Sequence, residues 1–247
     1  MINWGMPEQP PASAFGVPVP YSAAIDELRS KIKTPGPEGW AACLALGSKP
    51  EKEALDLLGE LAARKDWSYR NLAIQGVGRH PLGAQAAETV VAALADPVAQ
   101  VVRTACDAVA ALRLLPARSK ILSLLASPDA QTRFHAVRTL AELWTDDDYA
   151  AVLALSKKDK VEFVRKEAAR TLRRTASPGI WRPLFDRWKL DRLPLLRVWA
   201  CELLAAFGSD KDLPEFRRLV RDPNKHVREA AEKAAAGRGF ASRTGPR

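Results

Sequence analysis

The apolar positions of this chain come in pairs of helical stripes. In residues 146–175, Tyr149, Val152, Leu153 and Leu155 fall on one side of a helix. The polar run Ser156, Lys157, Lys158 and Asp159 interrupts that stripe and predicts a turn. Phe163, Val164, Ala168 and Leu172 resume it at helical spacing, so the stretch predicts two antiparallel helices. The pattern then returns along the chain. One arginine recurs as Arg70, Arg103, Arg133, Arg165, Arg197 and Arg228, with gaps of 33, 30, 32, 32 and 31 residues. Three residues after each stands a small side chain: Ala73, Cys106, Ala136, Ala168, Ala200 and Ala231. The preceding residue is apolar (Tyr69, Val102, Val164, Leu196, Val227) except at Thr132. An aspartate lies four to seven residues upstream: Asp66, Asp96, Asp129, Asp159, Asp191 and Asp222. A fixed period of this length predicts a repeat array. A lone helical hairpin cannot bury its apolar face, so the units must stack.

The expected organisation follows from the period. Residues 1–20, with five of the eighteen prolines and no basic residue, are expected to be an extended or disordered arm. Residues 21–47 predict an N-terminal helical cap, with a helix over Tyr21–Lys33 and a shorter one over Trp40–Leu46. The repeat domain is expected over 48–237, with units at about 50–79, 82–114, 116–144, 146–175, 178–208 and 210–237. Pro50, Pro81, Pro97, Pro116, Pro128, Pro178 and Pro223 fall at expected helix starts, where a missing N–H costs least. Residues 238–247 form a basic tail expected to fray. The recurrent arginine and aspartate predict a ladder of charge-assisted hydrogen bonds, each arginine meeting the aspartate of its own or a neighbouring unit.

The motif Asp159…Val164-Arg165…Ala168…Leu172, repeated as Asp191…Leu196-Arg197…Ala200…Leu204, resembles the HEAT-like repeat family, in particular its phycobilisome-lyase-type members. Asp222…Val227-Arg228…Ala231 fits it too, with Ala235 where leucine is usual. The resemblance covers about residues 50–237. It implies an all-α, right-handed solenoid of about six helix-pair repeats with an irregular N-terminal cap. It also implies a binding scaffold, since that family serves mainly to hold partners.

Charge sharpens the picture. Residues 1–124 carry 13 basic and 12 acidic groups, whereas residues from Lys157 onward carry 23 and 12. With the apolar neighbour, small residue and later leucine buried, the positions one, five and eight after each arginine turn to the concave groove. These positions predict a basic strip of Arg138, Lys166, Arg170 and Arg173, to which the adjacent Arg174 is added. Such a strip suits an acidic protein surface or peptide, and it can also seat a phosphate backbone.

Candidate chemistry is sparse. No Gly-rich phosphate loop, nucleophile elbow or His-Glu-x-x-His motif is present, and no catalytic residue, metal site or cofactor is expected. The histidines His80, His135 and His226 have no adjacent glutamate, so the His-Glu iron ligands of HEAT-like hydroxylases are missing. The scattered Cys43, Cys106 and Cys201 suggest buried thiols and a cytoplasmic location. Neither a secretory leader nor a membrane partner is expected. No oligomeric state follows. Some HEAT-like alkylated-DNA glycosylases use tryptophans and an aspartate, and Trp144, Asp146, Asp147, Asp148 and Trp199 are the candidates for that alternative. Otherwise Trp144 is expected to be a core residue closing a helix, and Trp181, Trp188 and Trp199 to pack between units five and six. The function expected first is a non-catalytic scaffold gripping an acidic macromolecule on its concave face. The alternative is nucleic-acid binding.

Overall fold

A computed structural model describes residues 16–239. Residues 1–15 of the proline-rich arm and 240–247 of the tail lie outside the described residues. Every regular element among the described residues is helical, which gives an all-α fold of stacked helical hairpins. The chain forms two compact units, one ending at Leu143 and the other beginning at Trp144.

The first unit opens with α1 (Ile25–Lys31) and α2 (Pro37–Leu46). Three hairpins follow: α3 (Lys52–Ala62) with α4 (Trp67–Arg79), α5 (Ala87–Ala93) with α6 (Ala99–Leu112), and α7 (Arg118–Leu124) with α8 (Ala130–Glu142). The second helices stack in order, α2 on α4, α4 on α6 and α6 on α8. In the second unit α9 (Tyr149–Lys158) pairs with α10 (Glu162–Arg174), α11 (Trp181–Trp188) with α12 (Pro194–Phe207), and α13 (Leu213–Leu219) with α14 (Lys225–Gly237). There α12 packs on α14.

Small residues set the spacing of the second helices. Ala73, Cys106, Ala136, Ala168, Ala200 and Ala231 are all buried, and second helices pack together at α4–α6, α6–α8 and α12–α14. The tightest approach is between the end of α2 and α4. A Cβ on Gly47 would lie 2.7 Å from the Cα of Gly76, too close for any side chain.

Three helices differ from the expectation at their ends, α2 by starting at Pro37, three residues before Trp40. The helix α9 runs through Ser156, Lys157 and Lys158, and the turn begins only at Asp159. Lysines in a last turn complement the partial negative charge of that helix end, so polarity there extends the helix instead of breaking it. The helix expected over Tyr21–Lys33 is shorter at both ends, because the backbone from Val19 to Ala23 closes turns, with Tyr21 N–H bonded to Val19 O and Ala23 N–H to Pro20 O.

The periodic aspartates open the second helices. Asp66 accepts from Ser68 N–H, Asp96 from Val98, Asp159 from Val161, Asp191 from Leu193 and Asp222 from Asn224, all two residues on. Asp129 accepts from Thr132 N–H at 2.8 Å, three residues on. Asp66 and Asp129 are the N-caps of α4 and α8 and satisfy an N–H the helix leaves orphaned, whereas the other four fold the turn just before their helix by holding the N-cap residue's own N–H. The arginines work on the other end of the turn. Nη1 of Arg70, Arg133, Arg165, Arg197 and Arg228 donates to the carbonyls six and five residues upstream, for example Arg197 to Asp191 O at 2.7 Å and Arg192 O at 3.2 Å.

The same arginines reach forward. Arg70 grips Asp96 through Nε and Nη2 at 2.7 and 2.9 Å, and Arg197 grips Asp222 likewise at 2.8 and 3.0 Å. Arg103 Nη1 reaches Asp129 at 2.9 Å and its Nη2 donates to Gln100. Each of these three contacts the aspartate of the following hairpin. In Arg70 and Arg197 one guanidinium thus closes its own turn and clamps the next, while among the described residues Arg103 makes only the forward contact.

These clamps make the stack acid-labile. The hydrogen bond from Arg70 holds the Asp96 carboxyl below its ordinary 3.8, and Thr132 with Arg103 does the same for Asp129. A carboxyl depressed in the native state stabilises fully above its unfolded value and ceases to as pH falls through its native one. Thermal melts are therefore expected to lose midpoint progressively below about pH 4, and Asp96→Asn to flatten that acid limb. An unchanged slope in the variant counts against the clamp.

Candidate functional site

The helix α10 carries the densest cluster of basic side chains on a single helix in either unit. Its buried face is Val164, Ala168, Thr171 and Leu172, which leaves Lys166, Arg170, Arg173 and Arg174 exposed. Arg170, Arg173 and Arg174 line a cleft of about 400 Å³ together with Glu202, Leu203 and Phe207 of α12. Spacings of three and four residues put these arginines on neighbouring positions of one helix face.

Each wall of the cleft is braced. Arg170 Nη1 donates to Glu167 Oε2 at 2.6 Å, and Glu167 is itself buried. Arg173 lies 5.2 Å over the Trp199 ring, with its Nε 3.3 Å from Glu202 Oε2. Trp199 is held in turn by Trp188, ring centroids 5.8 Å apart. Phe207 stacks on Trp181 at 6.0 Å, and the Arg182 guanidinium covers Trp181 at 4.1 Å. Arg182 also pairs with the buried Asp212. Burial pushes the Asp212 carboxyl up, but Arg182 and the Ser209 backbone outweigh it and hold it below the usual range. The cleft therefore has guanidinium walls, a rigid apolar floor from Leu203 and Phe207, and one carboxylate on its rim.

The structure gathers Arg170, Arg173 and Arg174 of the expected strip. Lys166, one turn earlier on α10, is paired with Glu162 at 2.6 Å and does not line the cleft. Arg138 belongs to the first unit, where it is exposed on α8 with its guanidinium 5.7 Å from the Phe134 ring. The second helices of that unit are linked by neutral or acidic groups: Thr104 Oγ1 donates to Asn71 Oδ1 at 2.6 Å, and His135 Nδ1 meets Asp107 Oδ1 at 2.9 Å. The apolar floor on Leu203 and Phe207 was not anticipated. The signal for it sits in the sequence as Glu202, Leu203 and Phe207, five, six and ten residues after Arg197, on the helix facing α10.

The tryptophan and aspartate candidates have local roles. Trp144 is half-buried and follows the end of α8 instead of closing it in the core; its Nε1 donates to Asp146 Oδ1 at 3.3 Å. Asp146 Oδ2 accepts from Ser177 Oγ at 2.7 Å, and buried Asp148 forms a capping box with Thr145. Asp147 is exposed. The Trp188–Trp199 ring contact links α11 to α12, and Trp181 stacks on Phe207 of α12, so the ring contacts of these three tryptophans lie within one hairpin, with Arg173 of α10 over Trp199. Their spacing on facing helices of the same pair explains it. Neither Trp144, the three aspartates nor Trp199 lines the cleft.

Among the described residues no three His, Cys, Asp or Glu side chains gather as a metal site, and no helix is long and apolar enough to cross a membrane. Burial pushes the thiols of Cys43, Cys106 and Cys201 up to about 12. They are protonated packing groups, not nucleophiles.

Stacked hairpins clamped by a periodic arginine define the fold as a HEAT-like α-solenoid. Residues 88–173 match the family model described as HEAT repeats. Three solved structures show the same fold. One is the complex of CpcE and CpcF of phycocyanin lyase from Nostoc sp. PCC7120, with TM-score 0.56 and 18% identity over 96% of this chain and 97% of that one. Another is the archaeal HEAT-like repeats protein from Thermococcus onnurineus NA1, with TM-score 0.53 and 19% identity over 90% and 99%. The third is the Mot1 N-terminal domain in complex with TBP, with TM-score 0.55 and 16% identity over 87% of this chain and 34% of that one. Comparison of the sequence with curated proteins finds no match.

Proposed function

We propose that this protein is a non-catalytic HEAT-like scaffold that binds an acidic protein segment at the α10–α12 cleft. The observation that carries the reading is the cleft itself, with Arg170, Arg173 and Arg174 above an apolar floor of Leu203 and Phe207. Exposed guanidiniums in a fork geometry suit carboxylates, and the floor suits an apolar residue beside them. A peptide alternating acidic and apolar side chains offers both. A phosphate backbone offers only the charge and brings each phosphate toward Glu202. The CpcE–CpcF and Mot1–TBP structures, each holding a protein partner on this fold, favour a protein ligand here too. The face used is the second-helix face, which in a HEAT-like solenoid is the concave one. Three buried, protonated cysteines fit a reducing cytoplasm.

The excess of 23 basic over 12 acidic groups from Lys157 onward favours nucleic acid as the second reading. Fluorescence titrations decide between them. A labelled peptide of alternating glutamate and leucine is expected to bind more tightly than duplex DNA at physiological salt, with the shallower salt dependence. Tighter DNA binding with a steep salt slope replaces the scaffold reading with the nucleic-acid one. Release of a methylated base from alkylated DNA replaces it with the glycosylase.

A further inference from the structure

The second unit also exposes a leucine cluster apart from the cleft. Leu190, Leu193 and Leu195 are 68%, 52% and 51% exposed within six residues, at the turn from α11 to α12. Large apolar side chains this open, this close together, mark an interaction surface and not ordinary surface variation. Cations surround them. Arg187 and Arg192 flank the leucines in sequence, and both are exposed. The turn from α13 to α14 lies alongside: Arg218 Nη2 donates to Lys189 O at 2.9 Å, and Arg197 holds both the Asp191–Arg192 carbonyls and Asp222. That second turn brings exposed Arg221 to the same edge. Arg187, Arg192 and Arg221 have no carboxylate within salt-bridge distance among the described residues, whereas Asp222 and Asp191 are occupied by Arg197 and by the Leu193 amide. The edge thus shows apolar tips beside three arginines that form no ion pair among the described residues, with Asp191 and the Lys189-paired Asp186 as the acids nearest in sequence.

We infer that this edge docks on an anionic lipid surface, with Leu190, Leu193 and Leu195 entering the headgroup–acyl boundary and Arg187, Arg192 and Arg221 meeting lipid phosphates and carboxylates. Three arguments select this occupant. The leucines sit on a hairpin tip, so they enter a soft interface and receive nothing. A second copy of the chain would set the same arginines against one another, which like charge opposes. Shallow apolar insertion and basic attraction reinforce each other at an anionic bilayer, and each alone is weak. The contact is peripheral and needs no spanning helix.

Sedimentation with vesicles tests it on the full chain. Phosphatidylcholine vesicles containing phosphatidylserine are expected to bind the protein about tenfold or more tightly than phosphatidylcholine alone. The triple change Leu190→Ser, Leu193→Ser and Leu195→Ser is expected to lower that binding about tenfold while leaving the melting temperature in place, since the side chains are exposed. Arg187→Glu, Arg192→Glu and Arg221→Glu together give a second, independent loss, and Arg170→Glu with Arg173→Glu in the cleft leaves vesicle binding unchanged. Equal binding to both vesicle types, or binding indifferent to the serine variant, overturns the inference. So does a concentration-dependent dimer that the serine variant abolishes, which makes a second copy the occupant. Loss of the acidic-peptide affinity in that variant likewise overturns it, and makes the edge a protein site. Failure at the cleft alone leaves this inference standing, because the two variant sets share no residue.

Discussion

Arg197→Ala is expected to destabilise the second unit by about 3 kcal/mol and to lower its melting temperature by about 10 °C. The side chain makes four hydrogen bonds, two to Asp222 and two to the Asp191 and Arg192 carbonyls. Both partners of the ion pair are mostly buried, with side-chain exposures of 13% and 9%. Truncation leaves the Asp222 carboxylate with its partner gone and reopens two carbonyls at the end of a turn. Burial already pushes Asp222 up, and Arg197 with the Asn224 amide is what holds it down, so the variant is also expected to lose this part of the acid limb, its midpoint falling less steeply below about pH 4. Arg228→Ala is the matched control: that arginine has its two carbonyls, Asp222 O and Pro223 O, and among the described residues no hydrogen bond or ion pair to an aspartate carboxylate, so about 1 kcal/mol is expected. Equal losses in calorimetry show that the forward clamp contributes nothing.

The second large effect concerns binding. Arg170→Glu with Arg173→Glu is expected to weaken the alternating glutamate–leucine peptide about a hundredfold at low salt, against about tenfold for either alone. Two cations become two anions beside Glu202 and Glu167, so repulsion adds to lost attraction. Phe207→Ala separates the floor from the walls: it is expected to weaken the peptide while leaving the salt dependence intact, because no charge changes. A double charge reversal that binds normally in fluorescence titration removes the cleft from the account.

The architecture was legible because burial imposes it. Positions such as Ala73, Cys106 and Ala200 are buried on second helices that pack on one another, so the packing requirement is written as a period. The direction of each clamp was not. Asp66 and Arg70 are four apart and Asp96 and Arg103 seven, and neither distance tells whether an arginine turns back or forward. In three dimensions the arginine takes its own turn's carbonyls and, at Arg70 and Arg197, the carboxylate of the next turn, which also holds an amide two residues on. The cleft was legible by half. Exposed arginines follow from the buried stripe of α10, but its floor depends on Phe207 meeting Trp181, which lie 26 residues apart and on different helices. The ends of helices were least legible, since Lys157 and Lys158 read as a break although they complete α9.

Because a forward clamp reaches just one hairpin onward, the chain is divisible at whole periods. Excising residues 96–128 would carry Asp129 into the place Asp96 holds against Arg70, with Thr132 and its cap arriving intact. Length in such a chain can change by duplication or loss of a module while the arginine–aspartate register across the new α4–α8 and α5–α8 contacts is kept.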